Sequence, residues 1–399
     1  MAKAPRTPHA VYLAIIAMLI ILLTYAGAKA MRAQKLTAEL GERFGFSTLL
    51  STAAPRPEPL RPYDAAALLQ PRSFAQYRAE VDRLIERAAA LGEFGPAPRL
   101  AGACAAATAG GKRLRATVML EVARMTSARL HPAHPVDAAE VAIFIEYVHA
   151  ASLVVDDLPE FDNDPLRRGQ PALHAAVGPA VAQLAALSLI AAAFQNVCRQ
   201  IDWLNANAPE IKNADRIGVQ ICSLVSRALG AAGAAGGQFM DIAPAEDRGS
   251  VEDIMILKTA SLFEIAVAAG WLVAGGEFSK IDDCLLIGRK FGMAFQIADD
   301  VGDMSKDAAR ATAARPDPNS ANKYGRDVAE IDIQRHLDGA ALLLERHGLW
   351  TPLWADEIYP AVHAMKASAP ASAPASAPAS APASAPASAP AVLASGFAP

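Results

Sequence analysis

The sequence predicts an all-α protein with one additional transmembrane helix near its N-terminus. Ala and Leu, which favour helices, supply much of a 399-residue chain that is 53% hydrophobic and only 6% aromatic. Apolar residues recur at helical spacing from about residue 73 to residue 365, without the strand-helix alternation of a Rossmann sheet. Before this region, residues 10–28 form a run of nineteen residues without a formal charge.

This N-terminal run is long enough to act as a membrane anchor. At about 1.5 Å per residue it crosses most of a hydrocarbon layer roughly 30 Å thick. Tyr12 and Tyr25 lie near its ends, where aromatic rings favour the interface. More basic residues follow the run than occur in the preceding polar segment, 1–9, which predicts that the body of the protein lies in the cytoplasm. Cleavage as a signal peptide is the alternative, because residues 26–28 read Ala-Gly-Ala.

Composition shifts divide the rest of the chain into three parts. Residues 29–72 form a linker region with a proline-rich centre, and residues 73–365 form the main helical domain. Residues 366–399 contain six copies of Ala-Ser-Ala-Pro. Regular prolines block a helix and small side chains cannot build a core, so we expect this tail to be disordered.

Within residues 73–365 the apolar spacing predicts nine helices. Their approximate bounds are 73–91, 98–109, 111–127, 136–158, 171–204, 210–235, 251–273, 277–304 and 322–347. Ser250 and Asp253 resemble a capping box, and Gly275 followed by Gly276 is a helix stop signal.

The charge balance and the cysteines exclude several classes of function. The formal net charge is −4, which gives no indication of nucleic-acid binding. The four cysteines form no Cys-x-x-Cys pair, so we expect neither a thiolate metal site nor a disulfide framework. We interpret them as small buried side chains in a reducing compartment.

Two acidic motifs, each following an apolar helix, indicate the chemistry. Asp156-Asp157-Leu-Pro-Glu-Phe-Asp162 is the first, and Asp299-Asp300-Val-Gly-Asp303 is the second. Asp299 and Asp303 are four residues apart and share a helix face. In the first motif Pro159 is expected to end or distort the helix, so that Asp162 turns back. Carboxylates together with substrate phosphates are the ligands that Mg²⁺ prefers, so the motifs predict a magnesium and diphosphate site.

Basic residues supply a second anion pocket. Lys112 and Arg115 lie in GGKRLR, which we expect to open a helix with both side chains on one face. Arg167 and Arg168 follow the first acidic motif, and His149 lies two helical turns before Asp156. Arginine is suited to phosphate oxygens because of its planar fork of donors.

These residues resemble the trans-isoprenyl diphosphate synthases. The likeness rests on HAASLVVDDLPEFDNDPLRRGQP, GGKRLRATVML, LKTASLF and FQIADDVGD, and it covers about residues 73–345. Within the family, HAASLVVDDLP looks most like bacterial geranylgeranyl diphosphate synthases. The resemblance implies an isoprenoid-synthase-type helical bundle around a central cavity, usually dimeric, that condenses an allylic diphosphate with isopentenyl diphosphate and requires Mg²⁺.

The resemblance also assigns roles by position. The implied magnesium ligands are Asp156, Asp157, Asp162, Asp299 and Asp303. The implied isopentenyl diphosphate pocket is Lys112, Arg115, His149 and Arg168. The implied contacts to the allylic diphosphate are Arg167, Lys258, Thr259 and Gln296. The chain departs from the family after the second motif, where an alanine flanked by Lys306 and Lys323 replaces the usual loop lysine.

Two small residues predict the product. Ala151 and Ser152 lie about 6–8 Å deeper than Asp156 at helical rise, and their small side chains leave room for a long prenyl chain. This favours geranylgeranyl diphosphate, and we expect Ala151→Tyr to shorten the product. A farnesyl or longer polyprenyl product, a class I terpene cyclase, and a non-catalytic prenyl-binding regulatory subunit are the alternatives.

Overall fold

The computed structural model describes residues 58–243, 247–310 and 319–366. The predicted polar segment and transmembrane helix lie outside these residues, as do most of the linker and all of the tail after residue 366. The α-helices are α1 (Ala65–Leu69), α2 (Phe74–Ala90), α3 (Pro98–Thr108), α4 (Leu114–Leu130), α5 (Ala139–Asp156), α6 (Leu173–Val177), α7 (Pro179–Asn207), α8 (Ala214–Leu229), α9 (Ala234–Ile242), α10 (Val251–Met255), α11 (Ser261–Val273), α12 (Ile281–Arg310), α13 (Ser320–Tyr324), α14 (Arg326–Arg346) and α15 (Tyr359–Met365).

Short irregular elements complete the described chain. The strands β1 (Leu166–Arg167) and β2 (Gln170–Pro171) pair antiparallel in a hairpin after the first acidic motif. A π-helical turn, Ile256–Ala260, joins α10 to α11, and a second π-helical turn, Leu353–Ile358, precedes α15. A 3₁₀ turn, Phe278–Lys280, leads into α12. The prediction of an all-α protein is therefore confirmed for the described residues.

Helix α11 lies at the centre of the bundle and packs against α4 and α12. Glycines allow these helices to approach closely. A Cβ atom added at Gly270 would lie 2.5 Å from the carbonyl oxygen of Met119, and one added at Gly288 would lie 2.4 Å from the Cα of Glu264. Any larger residue at either position would force the helices apart.

The structure confirms two predicted boundary signals and divides three predicted helices, one of which, 322–347, is broken at Gly325 between α13 and α14. Ser250 and Asp253 form the capping box, and Gly275 has a φ of +79° just after α11. The helix predicted over 171–204 is interrupted between α6 and α7, because Gly178 has a φ of +89° and Pro179 begins a new helix. The helix predicted over 210–235 ends at Leu229, and α9 is separate.

Candidate active site

The first acidic motif lies where α5 ends. The helix stops at Asp156, and the backbone N–H of Asp162 then donates to the carbonyl oxygen of Asp156 at 2.9 Å. Asn163 takes a φ of +51° in the same turn. The helix therefore ends before Pro159 as the sequence predicted, and the chain turns back so that Asp162 returns to the end of α5.

Asp156 and Asp157 have different surroundings. Asp157 is buried, and its two carboxylate oxygens share the Nε–H of Arg167 at 3.0 and 2.9 Å and accept a further bond from Nη2 of the same guanidinium. Burial raises the pKa of Asp156 to about 6; the neighbouring Asp162 adds to this shift, and Lys258 opposes it. Asp156 therefore carries a charge that the protein does not fully neutralise, whereas Asp157 is engaged by Arg167. The role of Asp157 as a magnesium ligand stays a prediction.

The raised pKa of Asp156 predicts a pH-dependent difference in stability. A raised folded-state pKa contributes stability below the unfolded value of 3.8, and this contribution is lost as pH rises through about 6. In EDTA, Asp156→Asn should therefore match the wild type in Tm near pH 4 and exceed it by a few degrees at pH 7.5. Calorimetry across this pH range checks the prediction, which fails if the difference is absent or reversed.

The second acidic motif lies within the uninterrupted helix α12. Asp299 is exposed and Asp303 is half-buried one turn later, so the predicted shared face is confirmed. Asp300 is buried on another side of the helix. Gln296 lies about one turn before Asp299 and accepts a hydrogen bond from the hydroxyl of Thr259 at 2.7 Å.

The π-helical turn Ile256–Ala260 connects the two motifs. The N–H of Ser261 donates to the carbonyl oxygen of Ile256, and such turns are frequent at functional sites. Lys258 lies close enough to Asp156 that this carboxylate raises the pKa of the lysine despite its burial. The next residue, Thr259, reaches Gln296 on α12. The end of α5 and the acidic part of α12 therefore face the same turn.

The carboxylates suit metals that arrive with a phosphorylated substrate. No group of three or more His, Cys, Asp or Glu side chains within the described ranges surrounds a point that would hold a bare ion. Magnesium is usually bound through one or two carboxylates plus substrate phosphates. The incompletely neutralised Asp156 and the exposed Asp299 fit this mode of binding.

The basic loop differs from its prediction. Helix α4 begins at Leu114, so Lys112 precedes the helix and does not share a helix face with Arg115. Gly110 and Gly111 have φ values of +66° and +105°, and Arg113 has a φ of +55°. Long-range bonds hold Arg113 in this unfavourable conformation. Its guanidinium donates to Asp82 at 2.8 Å, to Glu146 at 3.0 Å and to the carbonyl oxygen of Thr108 at 2.6 Å.

The structure brings the predicted anion pocket together. Arg115 lies 3.3 Å from Nε2 of His149 and its guanidinium carbon is 4.4 Å from the ring centroid of Phe263. Burial lowers the pKa of Arg115 to about 10, and burial followed by the charges of Arg115 and Arg168 lowers the pKa of His149. Arg115 therefore remains a cation at neutral pH, and His149 is neutral.

Arg168 and Lys112 complete this pocket. Arg168 donates to the carbonyl oxygen of Ala109 at 2.8 Å. Its guanidinium also packs on Gly111, where an added Cβ atom would lie 2.8 Å from a guanidinium nitrogen. The ammonium of Lys112 is 5.7 Å from the ring centroid of Phe295 on α12. The cations therefore lie between the turn after α3, the hairpin and the second acidic helix.

The two residues predicted to set product length lie on α5. Ser152 is four residues before Asp156 and so shares its face one turn deeper. It is half-buried, and its hydroxyl donates to the carbonyl oxygen of His149 at 2.9 Å. Ala151 is only 1% exposed. Ser152 therefore lies beneath the first acidic motif, whereas Ala151 packs within the bundle.

Two buried polar residues near the π-helical turn, Gln238 and Asp241, were not predicted from the sequence. Asp241, on α9, receives an ion pair from Nζ of Lys258 at 2.9 Å. The second carboxylate oxygen of Asp241 has no hydrogen-bond partner within the part of the chain that the structure describes. The same is true of the side-chain oxygen and nitrogen of Gln238. The spacing Gly-Gly-Gln-x-x-Asp places both on one helix face and was the signal that could have found them.

Comparison with known sequences decides the family. The sequence profile of polyprenyl synthetases matches residues 98–314, which contain both acidic motifs and the basic loop. The chain belongs to the polyprenyl synthetase family. It is 31% identical over 294 residues to a trans-prenyltransferase of African swine fever virus (isolate Pig/Kenya/KEN-50/1950), covering 74% of this chain and 84% of the relative. This polyprenyl synthetase is therefore a prenyltransferase.

Other members of the family show similarity over different shares of the chain. A geranylgeranyl diphosphate synthase of Cyanophora paradoxa is 34% identical over 201 residues, which cover 49% of this polyprenyl synthetase and 62% of the relative. The solved apo structure of an FPP/GFPP synthase from Zymomonas mobilis is 25% identical, with a TM-score of 0.56 and coverage of 75% and 98%. A geranyltransferase from Legionella pneumophila, 24% identical with a TM-score of 0.59 and coverage of 73% and 95%, shows the same fold.

Proposed function

We propose that this enzyme performs the magnesium-dependent head-to-tail condensation of isopentenyl diphosphate with allylic prenyl diphosphates, and that its main product is geranylgeranyl diphosphate. One observation carries the proposal. The pocket of Lys112, Arg115, His149 and Arg168 adjoins the helix that bears Asp299, and the charge of Asp299 acts on Arg115. A reaction between two diphosphates needs two anion sites that share one reaction space.

The residues support a division of labour between the two sites. Arg115, held on Phe263, presents a cation that loses little rotamer freedom when it binds the diphosphate of isopentenyl diphosphate. At the other site Lys258 and Gln296 face the acidic motifs and would orient the allylic diphosphate. The bond from the allylic carbon to its diphosphate oxygen breaks, the isopentenyl double bond attacks that carbon, and the resulting cation loses a proton to the released diphosphate.

The residues that would hold magnesium are Asp156, Asp157 and Asp162 of the first motif and Asp299 and Asp303 of the second. When bound, the metal supplies positive charge that stabilises the departing diphosphate. Lys258 adds a fixed ammonium on the same side, kept charged because neighbouring carboxylates raise its pKa. Electrostatic stabilisation of the leaving group is the largest contribution we expect from these residues.

The proposal is tested with purified full-length protein, isopentenyl diphosphate and farnesyl diphosphate, with magnesium or with EDTA. We expect geranylgeranyl diphosphate by mass spectrometry in the magnesium sample and no product in EDTA. Release of diphosphate with a hydrocarbon product from the allylic substrate alone would instead indicate a terpene cyclase. Absence of any product from all allylic substrates would indicate a non-catalytic subunit.

A homodimer is part of the proposal, and α7 offers a surface for it. Leu184, Leu187 and Ala191 are exposed and recur at helical spacing on one face. In the most apolar 18-residue stretch of Pro179–Asn207, only 44% of the residues are buried. An exposed apolar face of this kind indicates a partner surface, and a second copy of the chain presents the same face.

Substitution of this face predicts a change in mass. The wild-type catalytic domain should be a dimer by light scattering at micromolar concentration, and Leu187→Arg should make it monomeric because a buried cation without a partner is costly. Leu342→Arg, at a residue 60% exposed on α14, is the matched control and should remain dimeric. A monomeric wild type, or a dimeric Leu187→Arg, would contradict the proposed interface.

We also propose that residues 10–28 anchor the enzyme in a membrane with its catalytic domain in the cytoplasm. The proposal is supported by the uncharged run and the excess of basic residues after it. The full chain should sediment with membranes after carbonate washing, and a chain beginning at residue 58 should not. A full chain that appears at reduced mass in the soluble fraction would indicate cleavage instead.

A further inference from the structure

Asp300 lies inside the second acidic motif but faces away from the predicted metal ligands. It is 7% exposed, whereas its neighbour Asp299 is exposed. One carboxylate oxygen accepts from Nε2 of Gln296 at 2.8 Å. The other accepts from the backbone N–H of Ser320 at 2.8 Å and from its hydroxyl at 2.7 Å. Asp300 thus joins α12 to the start of α13.

Gln296 also connects Asp300 to the π-helical turn. The side-chain oxygen of Gln296 accepts from the Thr259 hydroxyl at 2.7 Å. The side chain of Asn319 donates to the backbone carbonyl oxygen of Asp300 at 2.7 Å. This bond holds the chain in place directly before Ser320. A chain of hydrogen bonds therefore runs from Ser320 through Asp300 and Gln296 to Thr259.

The chemistry of the carboxylate fixes the direction of this chain. An ionised carboxylate only accepts hydrogen bonds, so the amide nitrogen of Gln296 must face Asp300 and its oxygen must face Thr259. The second hydrogen of that nitrogen is then the polar group that Gln296 can offer to a phosphate oxygen. Without Asp300 the amide could rotate and present its carbonyl oxygen, which repels phosphate.

We propose that Asp300 and Ser320 are positioning residues that hold the Gln296 amide with its N–H directed toward the allylic diphosphate, and that Asp300 is not a metal ligand. The proposal rests on the proposed function, because it assigns the allylic diphosphate to Thr259 and Gln296. It also makes the affinity for the allylic diphosphate depend on the start of α13, where Ser320 contacts the second acidic motif.

The test is a double-mutant cycle in the full-length enzyme, read as KM for each substrate. Ser320→Ala should raise the KM for farnesyl diphosphate about fivefold through loss of one hydrogen bond, and Asp300→Asn should raise it about tenfold or more. The KM for isopentenyl diphosphate should stay within about twofold, because Arg115 and His149 are outside the chain of bonds. In a Gln296→Ala background, Ser320→Ala should have no further effect on the farnesyl diphosphate KM.

Asn322→Ala is the matched control, since Asn322 donates from the same short helix to the carbonyl oxygen of Met304 without touching Asp300. It should lower Tm as much as Ser320→Ala while leaving both KM values unchanged. An unchanged KM in Ser320→Ala, equal effects on both substrates, or the same effect in the Gln296→Ala background would overturn the proposal. A wild type that makes no product with any allylic diphosphate would instead overturn the proposed function, and binding of farnesyl diphosphate measured by calorimetry would then still test the hydrogen-bond chain.

Discussion

Asp156→Asn is expected to lower kcat by about 10²–10³-fold while leaving the protein folded. The substitution keeps the size of the side chain and removes the charge that the end of α5 contributes to the diphosphate site. Because burial raises the pKa of Asp156 to about 6, the ionised form already costs stability at neutral pH, so the variant should not unfold more easily. Steady-state assays at saturating magnesium provide the measurement.

Glu160→Gln is the matched control for this prediction. Glu160 is exposed in the same acidic loop but is outside the spacing of the three aspartates. It should retain wild-type kcat. If Asp156→Asn lost less than about tenfold in kcat, or if Glu160→Gln lost as much, the loop would act through its total charge rather than through a defined ligand.

Ser152→Tyr is expected to replace geranylgeranyl diphosphate with farnesyl diphosphate as the main product. Ser152 lies one turn beneath Asp156 on the same helix face, so a phenol ring there would block the path of the growing chain. Turnover of geranyl diphosphate should persist, because the allylic carbon that loses its diphosphate still lies at the level of Asp156, above the new ring. Mass spectrometry of the products from geranyl diphosphate measures the change.

Ala151→Tyr should also shorten the product, but with a lower Tm. Ala151 is 1% exposed, and a large side chain in a packed helix interface forces its neighbours apart. Ser226→Tyr, on the exposed side of α8, is a control that should change neither product nor Tm. An unchanged product length in Ser152→Tyr would contradict the assignment of this face to the prenyl chain.

The sequence predicted those parts of the site that local periodicity determines. Asp299 and Asp303 share a face because α12 is an uninterrupted helix, and four residues make about one turn. The end of α5 before Pro159 was predictable for a similarly local reason, since proline is incompatible with a continuing helix.

The parts that sequence analysis missed depend on distant partners. The GGKRLR loop was predicted to open a helix, yet Arg113 adopts a left-handed conformation because Asp82, Glu146 and Thr108 hold its side chain. Asp82 and Glu146 lie 31 and 33 residues away from Arg113, beyond any local pattern. The pairing of Asp157 with Arg167 likewise joins two elements, the end of α5 and β1.

The most direct test of the account is a crystal structure of the enzyme with magnesium and inorganic diphosphate. We predict that carboxylates of the first motif, including Asp156, and of the second motif, including Asp299, bind metal ions that share one diphosphate, with Lys258 on the same anion. Diphosphate bound away from both motifs, or metal ions held by one motif alone, would contradict the claim that the two acidic helices form a single ionisation site.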